Sequence, residues 1–363
     1  LWRRLGDEHA SRPFHLLLHG GDQIYADELR QAHPLVRRWA RGKALPEDSL
    51  DPETESEVRA TLRQAFFRRY VEVFSQPAVA WLMARVPSLA MWDDHDICDG
   101  WGSLPAERLD SPVGRALFAV AREHFLVFQQ GAAPDALPAL CLDPSGTSLS
   151  WHAALPGLDL IAPDLRSERR PDRVMGDGGW RALDTALDRV AGGRVLLLSS
   201  VPALGPRLSW VEAVMHLTPH AEKYEDDLRD QWQSRAHREE WRNFLTRLID
   251  LQQSGRAEVT LLSGEIHLAT QGTLDTSGRP IHQLVASGIA HPPAPPAYAW
   301  MLGQLARLGE APLPRHPIRL RPLPGRTGIY TAERNYLVLE RHGRQWSARW
   351  HLENSGTTPS LAL

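Results

Sequence analysis

The sequence predicts a layered α/β protein, and three observations carry that expectation. Short apolar runs alternate with stretches whose apolar residues recur at helical spacing, as when strands and helices share one core. Several apolar runs end abruptly in ligand-type residues, the placement that open α/β sheets give to their sites. The chain has 363 residues, 42% hydrophobic and 23% charged, which is enough to bury a sizeable core as one large domain or two modest ones.

Taken in order, Trp2–His9 reads as the end of a helix. The chain opens on Leu1 without a methionine, so further residues are expected upstream and the start says nothing of a leader. Phe14–His19 is a short apolar strand that runs into Gly20-Gly21-Asp22-Gln23-Ile24-Tyr25-Ala26-Asp27. The glycines allow a tight turn and leave Asp22 at the strand's end, either as a ligand or as part of a plain Gly-Gly-Asp turn. Residues 30–60 are polar and proline-punctuated. From Ser56 to Phe74, Leu62, Ala65, Phe66, Tyr70, Val73 and Phe74 recur at helical spacing and form a core stripe. Ala78–Ala84 is a shorter helix, and Pro87 leads into a strand ending at Trp92.

That strand is the focus of the chain. Val86, Leu89, Ala90, Met91 and Trp92 give way to Asp93, Asp94, His95, Asp96 and Asp99. Clustered carboxylates at a strand end repel one another unless a cation sits among them. A solvated acidic turn is the alternative. The histidine inside the cluster and the flanking Trp92 and Trp101 favour a metal site.

Pro112–Gln129 is helical. Leu149–Leu155 and Leu158–Ala162 flank Pro156-Gly157, a hairpin signal, and the second strand runs out into Asp164-Leu165-Arg166. That Asp and Arg either bind an anion or pair with each other. Gly179–Val190 is a helix, Arg194–Ser200 a buried strand, and 205–235 a polar insertion with several tryptophans. A helix over His237–Gln252 precedes the strand Ala257–Ser263, which ends in Gly264-Glu265-Ile266-His267. Strands follow through Leu274 and over His282–Ala286. Residues 291–326 are proline-rich and expected as a surface excursion. Asn335–Glu340 and Trp346–Leu352 form a closing hairpin, and 354–363 a tail.

Three strand ends therefore carry hard ligands: Asp22-x-x-Tyr25, Asp93-Asp94-His95 and Glu265-x-His267. Their recurrence favours one pocket for two cations roughly 3.5–4 Å apart, with Asp22 the candidate bridge. Oxygen-rich ligands point to Fe, Mn, Zn, Ca or Mg rather than copper. A tyrosine ligand such as Tyr25 favours a ferric-like ion. His15, His152 and His282 read as structural, whereas His19 and His291 fall closer to the pocket. Two cysteines, Cys98 and Cys141, make neither a disulfide framework nor a Cys-x-x-Cys knuckle. This scarcity suits a cytoplasm and leaves export open. The net charge of −3 gives no electrostatic footprint for nucleic acid, and no apolar run reaches membrane-spanning length.

The blocks Gly-Gly-Asp-Gln-Ile-Tyr-Ala-Asp, Trp-Asp-Asp-His-Asp with Asp-Gly-Trp-Gly-Ser, Asp-Leu-Arg, and Leu-Ser-Gly-Glu-Ile-His resemble those of the PhoD-like alkaline phosphatases. These are a branch of the calcineurin-like metallophosphoesterases, and the blocks run in order from about Leu16 to Ala290. The resemblance implies an α/β/β/α metallophosphoesterase-like sandwich over residues 1–353, lacking its N-terminal part. It also implies a hydrolase with two metal ions acting on a small phosphomonoester or phosphodiester. Asp22 would bridge the metals, Tyr25 and His267 would bind an iron-like ion, and Asp94 the second metal, with Glu265 a further ligand. His95 would meet the phosphate and leaving group. Arg166 would contact the phosphate, and Asp99 the second metal or the substrate.

Two departures stand out. Gly-Glu-Ile-His replaces the family's Gly-Asp-x-His, one methylene longer at Glu265, and the first metal-binding block upstream of Asp22 has no counterpart. Both motivate the alternative of a non-catalytic relative that binds a phosphorylated ligand or a partner protein. Retention of Asp22, Asp94, His95 and His267 together favours the enzyme.

Overall fold

The computed structural model describes residues 1–43, 50–206, 230–264, 266–286 and 288–363. The expected polar insertion at 205–235 lies largely outside them, as does Glu265. The chain packs as two compact units. One comprises residues 2–150 and 164–180, the other residues 1, 151–163 and 181–363.

The first unit is mostly helical: α1 (Trp2–Ser11), α2 (Pro34–Ala40), α3 (Pro52–Phe74), α4 (Pro77–Met83), α5 (Ala106–Leu109) and α6 (Pro112–Phe128). α3 starts where the sequence dictates. Asp51 accepts from the Glu53 and Thr54 N–H groups at 3.0 and 2.9 Å, and Pro52 occupies the first turn, where its missing N–H costs nothing. Its inward stripe of Val58, Leu62, Phe66 and Tyr70 is fully buried and joins Val113, Leu117 and Phe125 of α6 in one core. Tyr70 stacks on Phe128 with ring centroids 4.6 Å apart.

Two strands, β1 (Leu17–Gly20) and β2 (Ser88–Met91), pair in parallel from Leu17↔Ser88 to Gly20↔Met91. Parallel register makes both strands end at the same level. The segments that follow, Gly21–Asp22 and Trp92–Asp94, therefore leave side by side, and this alone brings residues some seventy positions apart into one place.

The second unit holds an eight-stranded mixed sheet. Its strands are β3 (Trp151–Leu155), β4 (Leu158–Ala162), β5 (Gly193–Ser199), β6 (Ala257–Ser263), β7 (Thr270–Leu274), β8 (Ile281–Val285), β9 (Glu310–Leu313) and β10 (His316–Arg321). The order is β3-β4-β5-β6-β8-β7-β10-β9. β4, β5, β6 and β8 run parallel, and helices α7 (Asp177–Arg189) and α8 (Arg238–Gln253) fall in the β4–β5 and β5–β6 connections. A smaller sheet is built on the hairpin of β11 (Asn335–His342) and β12 (Gln345–Leu352). Trp350 of β12 is fully buried with Leu284 of β8, and its Nε1–H donates to the Val285 carbonyl at 2.9 Å. The expected mixture of strands and helices is present, with a second sheet packed on the main one.

Two expectations are corrected here. Residues 291–326 are not a surface excursion. They contain α9 (Pro296–Ala306), β9 and β10, and β10 extends the main sheet beside β7. Their prolines mislead because Pro317 sits where the β9–β10 register shifts and Pro312 lies on the edge strand, the two places where a sheet tolerates proline. Nor is 354–363 a loose tail. β13 (Gly356–Thr357) and β14 (Leu361–Ala362) both pair with β12, in stretches too short for alternation to register.

Candidate metal centre

The turn after β1 departs from ordinary backbone geometry. Asp22 and Tyr25 have φ of 58° and 48°, left-handed values that cost a non-glycine residue roughly 1–2 kcal/mol. Asp96, fully buried, holds this turn in place. Its carboxylate accepts from the Asp22 N–H at 2.9 Å, the Gln23 N–H at 3.1 Å and the Asp93 N–H at 3.0 Å. One side chain thus ties the loop after β1 to the loop after β2. Burial pushes the Asp96 carboxyl up to about 7, against the backbone donors that favour its charged form.

Asp22, Asp94 and His95 converge beside this tie. Each offers a ligand atom, and these atoms all lie within 4.8 Å of one another. Asp22 Oδ1 accepts from the His95 N–H at 3.2 Å, while Oδ2 is buried and has no hydrogen-bond partner among the described residues. Burial raises the Asp22 carboxyl well above its ordinary value; His95 opposes this, and the carboxylates of Asp94, Asp93 and Asp96 reinforce it. A buried, orphaned oxygen among like charges is what a cation would relieve. The two carboxylates, Asp22 and Asp94, with His95 beside them, make a hard-oxygen pair that fits a metal ion such as Zn, Mn or Fe.

His95 is held from behind. Its Nδ1 lies 2.6 Å from Asp27 Oδ2. The interactions with His95, the Asp99 N–H and Arg30 hold Asp27 below its ordinary value although burial raises it. Ionised, Asp27 can only accept, so Nδ1 carries the hydrogen and Nε2 faces Asp94 Oδ2 at 4.0 Å. Burial alone would lower the His95 pKa, but Asp94, the Asp27 hydrogen bond and the charges of Asp22 and Asp27 push it up to about 12. The Tyr25 ring lies against His95, centroids 4.9 Å apart. His19, two residues ahead of Gly21, has a buried Nε2 without a hydrogen-bond partner among the described residues. Burial lowers its pKa to about 4, so it is neutral near pH 7.

Arg166 and Asp99, the expected phosphate contact and the expected metal or substrate contact, have these surroundings. Arg166 is fully buried. Its Nε–H donates to Asp93 Oδ1, Nη2 lies 3.3 Å from Asp94 Oδ1, and Nη1 donates to the Trp101 carbonyl at 3.2 Å. Five clustered carboxylates need a resident cation, and the guanidinium supplies one. Asp164 does not pair with the Arg166 guanidinium. Its carboxylate accepts from Trp92 Nε1–H at 2.9 Å and the Leu149 N–H at 2.7 Å. Asp99, expected near metal or substrate, has a half-exposed side chain 3.3 Å from Arg30 Nη1, and its N–H supports Asp27 at 2.8 Å. The Gly-Trp-Gly-Ser that follows has a steric reason: Gly102 has φ 96°, and a Cβ there would meet Arg169 side-chain atoms at 2.7 Å.

His267 belongs to the other unit, with φ 52° and its ring stacked on His291 at 4.1 Å. Asp27 and Asp96 are the site residues that sequence reasoning passed over. Both stand inside the quoted blocks, but nothing in their spacing separates a ligand from a residue that holds one.

A profile of the PhoD related phosphatases matches residues 1–224, more than half of the chain. The uncharacterized protein YGR266W of Saccharomyces cerevisiae is 23% identical over 85% of this chain and 56% of its own length. A solved structure of PhoD superposes on 99% of the chain with a TM-score of 0.58 at 13% identity, covering 65% of that protein. This chain thus spans about half the length of the yeast relative and under two thirds of PhoD, and the structural likeness speaks for the fold. The profile match places the chain in the PhoD-related phosphatase family.

Proposed function

We propose, with membership of that family as the premise, that this chain hydrolyses phosphoric esters using metal ions held at the Asp22–Asp94–His95 cluster. The observation that supports this reading most is Asp22 Oδ2, a buried carboxylate oxygen without a hydrogen-bond partner among the described residues and within ligand range of Asp94 and His95. Asp22 and Asp94 would hold the ion, with Tyr25 beside them. A two-metal centre of iron with Ca, Mn, Zn or Mg is the finer form of the proposal, for which the family resemblance names Glu265 and His267 as further ligands. Bound metal would supply Lewis acidity, providing hydroxide near neutral pH and drawing charge from phosphate oxygens.

The chain's own residues do the rest. With Nδ1 committed to Asp27, His95 keeps Nε2 for the substrate, where it gives a proton to the departing alkoxide oxygen. Asp27 fixes the ring's rotamer and is itself fixed by the Asp99 N–H and Arg30. Arg166 balances Asp93 and Asp94 without entering the reaction. Asp96 keeps the two loops at the separation the ligands need. With a net charge of −3, small phosphate esters suit the chain better than long nucleic acid.

Metal analysis by plasma mass spectrometry, paired with p-nitrophenyl phosphate and bis-p-nitrophenyl phosphate assays, tests the reading. Bound metal with hydrolysis of either ester supports it and ranks mono- against diesterase. His95→Ala should cut turnover at least tenfold while metal content persists. No metal and no hydrolysis after supplying Fe, Mn, Zn and Ca would leave the non-catalytic, phospholigand-binding reading in its place.

A further inference from the structure

We propose that the outer face of α9, together with the arginine-lined cleft at its C-terminal end, docks on an anionic lipid surface. The inference stands apart from the phosphatase reading and rests on the second unit alone. α9 contains no charged residue. Its inner face, Ala299, Leu302, Gly303 and Ala306, is buried. Its outer face carries Trp300, 70% exposed, and Met301, 45% exposed, and the turn that follows carries Leu308, 75% exposed. Seven positions apart, Met301 and Leu308 fall close to one line of the helix, with Trp300 about 100° to one side, and the Leu308 N–H, just past the helix end, donates to the Leu305 carbonyl at 3.0 Å. A helix on a protein surface ordinarily turns polar residues outward; this one turns tryptophan, methionine and leucine.

Beside the stripe opens a cleft of about 760 Å³. Arg307 and Leu308 line it from the helix end, Arg319 and Arg321 from β10, and Arg238 and Glu310 from the remaining side. Arg238 is paired with the buried Glu310 at 3.3 Å. Arg307, Arg319 and Arg321 have no ion pair among the described residues. Exposed tryptophan and leucine next to guanidinium groups with no ion pair among the described residues are the composition of an interfacial membrane contact, with the ring at headgroup depth and the cations on lipid phosphates. A second copy of the chain fits less well, because a two-fold contact through this face would set these arginines against one another. No helix among the described residues is long and apolar enough to cross a membrane, so this attachment lies on the surface.

Sedimentation of the full chain with vesicles of phosphatidylcholine alone, and of phosphatidylcholine with phosphatidylserine, tests the proposal. The chain should pellet with the mixed vesicles, less with the neutral ones, and less again as salt is raised. Arg319→Gln and Arg321→Gln should each weaken partitioning to mixed vesicles about fivefold. Trp300→Ala and Leu308→Ser should each weaken it about tenfold. All four positions are exposed, and unchanged melting temperatures verify that the fold persists. Equal binding to both vesicle types, or an unaffected Trp300→Ala, would overturn the proposal. So would self-association, or capture of an acidic amphipathic peptide, that depends on Trp300 while vesicles are ignored.

Discussion

Replacing Arg166 with methionine separates two roles for one residue. The guanidinium is fully buried and faces Asp93, itself without exposure, and Asp94, whose side chain is 10% exposed. Methionine matches much of the volume but removes the guanidinium that faces both carboxylates. Breaking a buried ion pair from one side costs about 3–5 kcal/mol, a large share of the roughly 5–15 kcal/mol that holds a domain together. At about 2–4 °C per kcal/mol for a unit of this size, the metal-free chain should melt roughly 6–20 °C lower. Thermal unfolding with chelator present measures this directly. Added metal should recover part of the loss, since a cation in the cluster takes over some of the missing charge. A melting temperature within about 2 °C of the parent, with KM for phosphate esters raised tenfold or more, would refute the reasoning and return Arg166 to phosphate contact.

Two further outcomes follow from the same geometry. Asp27→Asn should keep metal content but lower kcat roughly 10–100-fold, with the larger loss on alkyl phosphates, whose leaving groups most need a proton, than on p-nitrophenyl phosphate; a uniform loss on both would deny Asp27 its positioning role. The folded chain raises the Asp22 and Asp96 carboxyls, so their contribution to metal-free stability is whole below about pH 4. For Asp96 it is lost as pH rises through about 7. A bound cation favours the charged carboxylates. The gap between metal-loaded and metal-free melting temperatures should therefore widen from about pH 4 to about pH 7, and a constant gap would contradict the cluster.

Much of this protein was legible from its residues. Helical spacing and unbroken apolar runs located α3, α6, β4, β5 and β6 to within a few positions, because a helix stripe keeps its period and a strand covered on both sides stays apolar throughout. The abrupt passage from Trp92 to Asp93-Asp94-His95 located the cluster, since carboxylates buried at a strand end need a compensating charge. The blocks around Asp22 and His95 gave the family. Prolines hid β9 and β10, because a bulge and an edge strand accept proline as readily as a loop does.

What each acid does was decided only in three dimensions. Asp22, Asp27, Asp94, Asp96 and Asp99 are the same side chain in the sequence. The parallel β1–β2 register sets Asp96 under three backbone N–H groups, Asp27 behind His95, Asp99 out at Arg30, and leaves Asp22 with a buried oxygen and no hydrogen-bond partner among the described residues. For Arg166, likewise, only folding supplies its partners Asp93 and Asp94. Composition fixes which charges a chain carries. Their partners, and so their chemistry, depend on distances that only the folded backbone imposes.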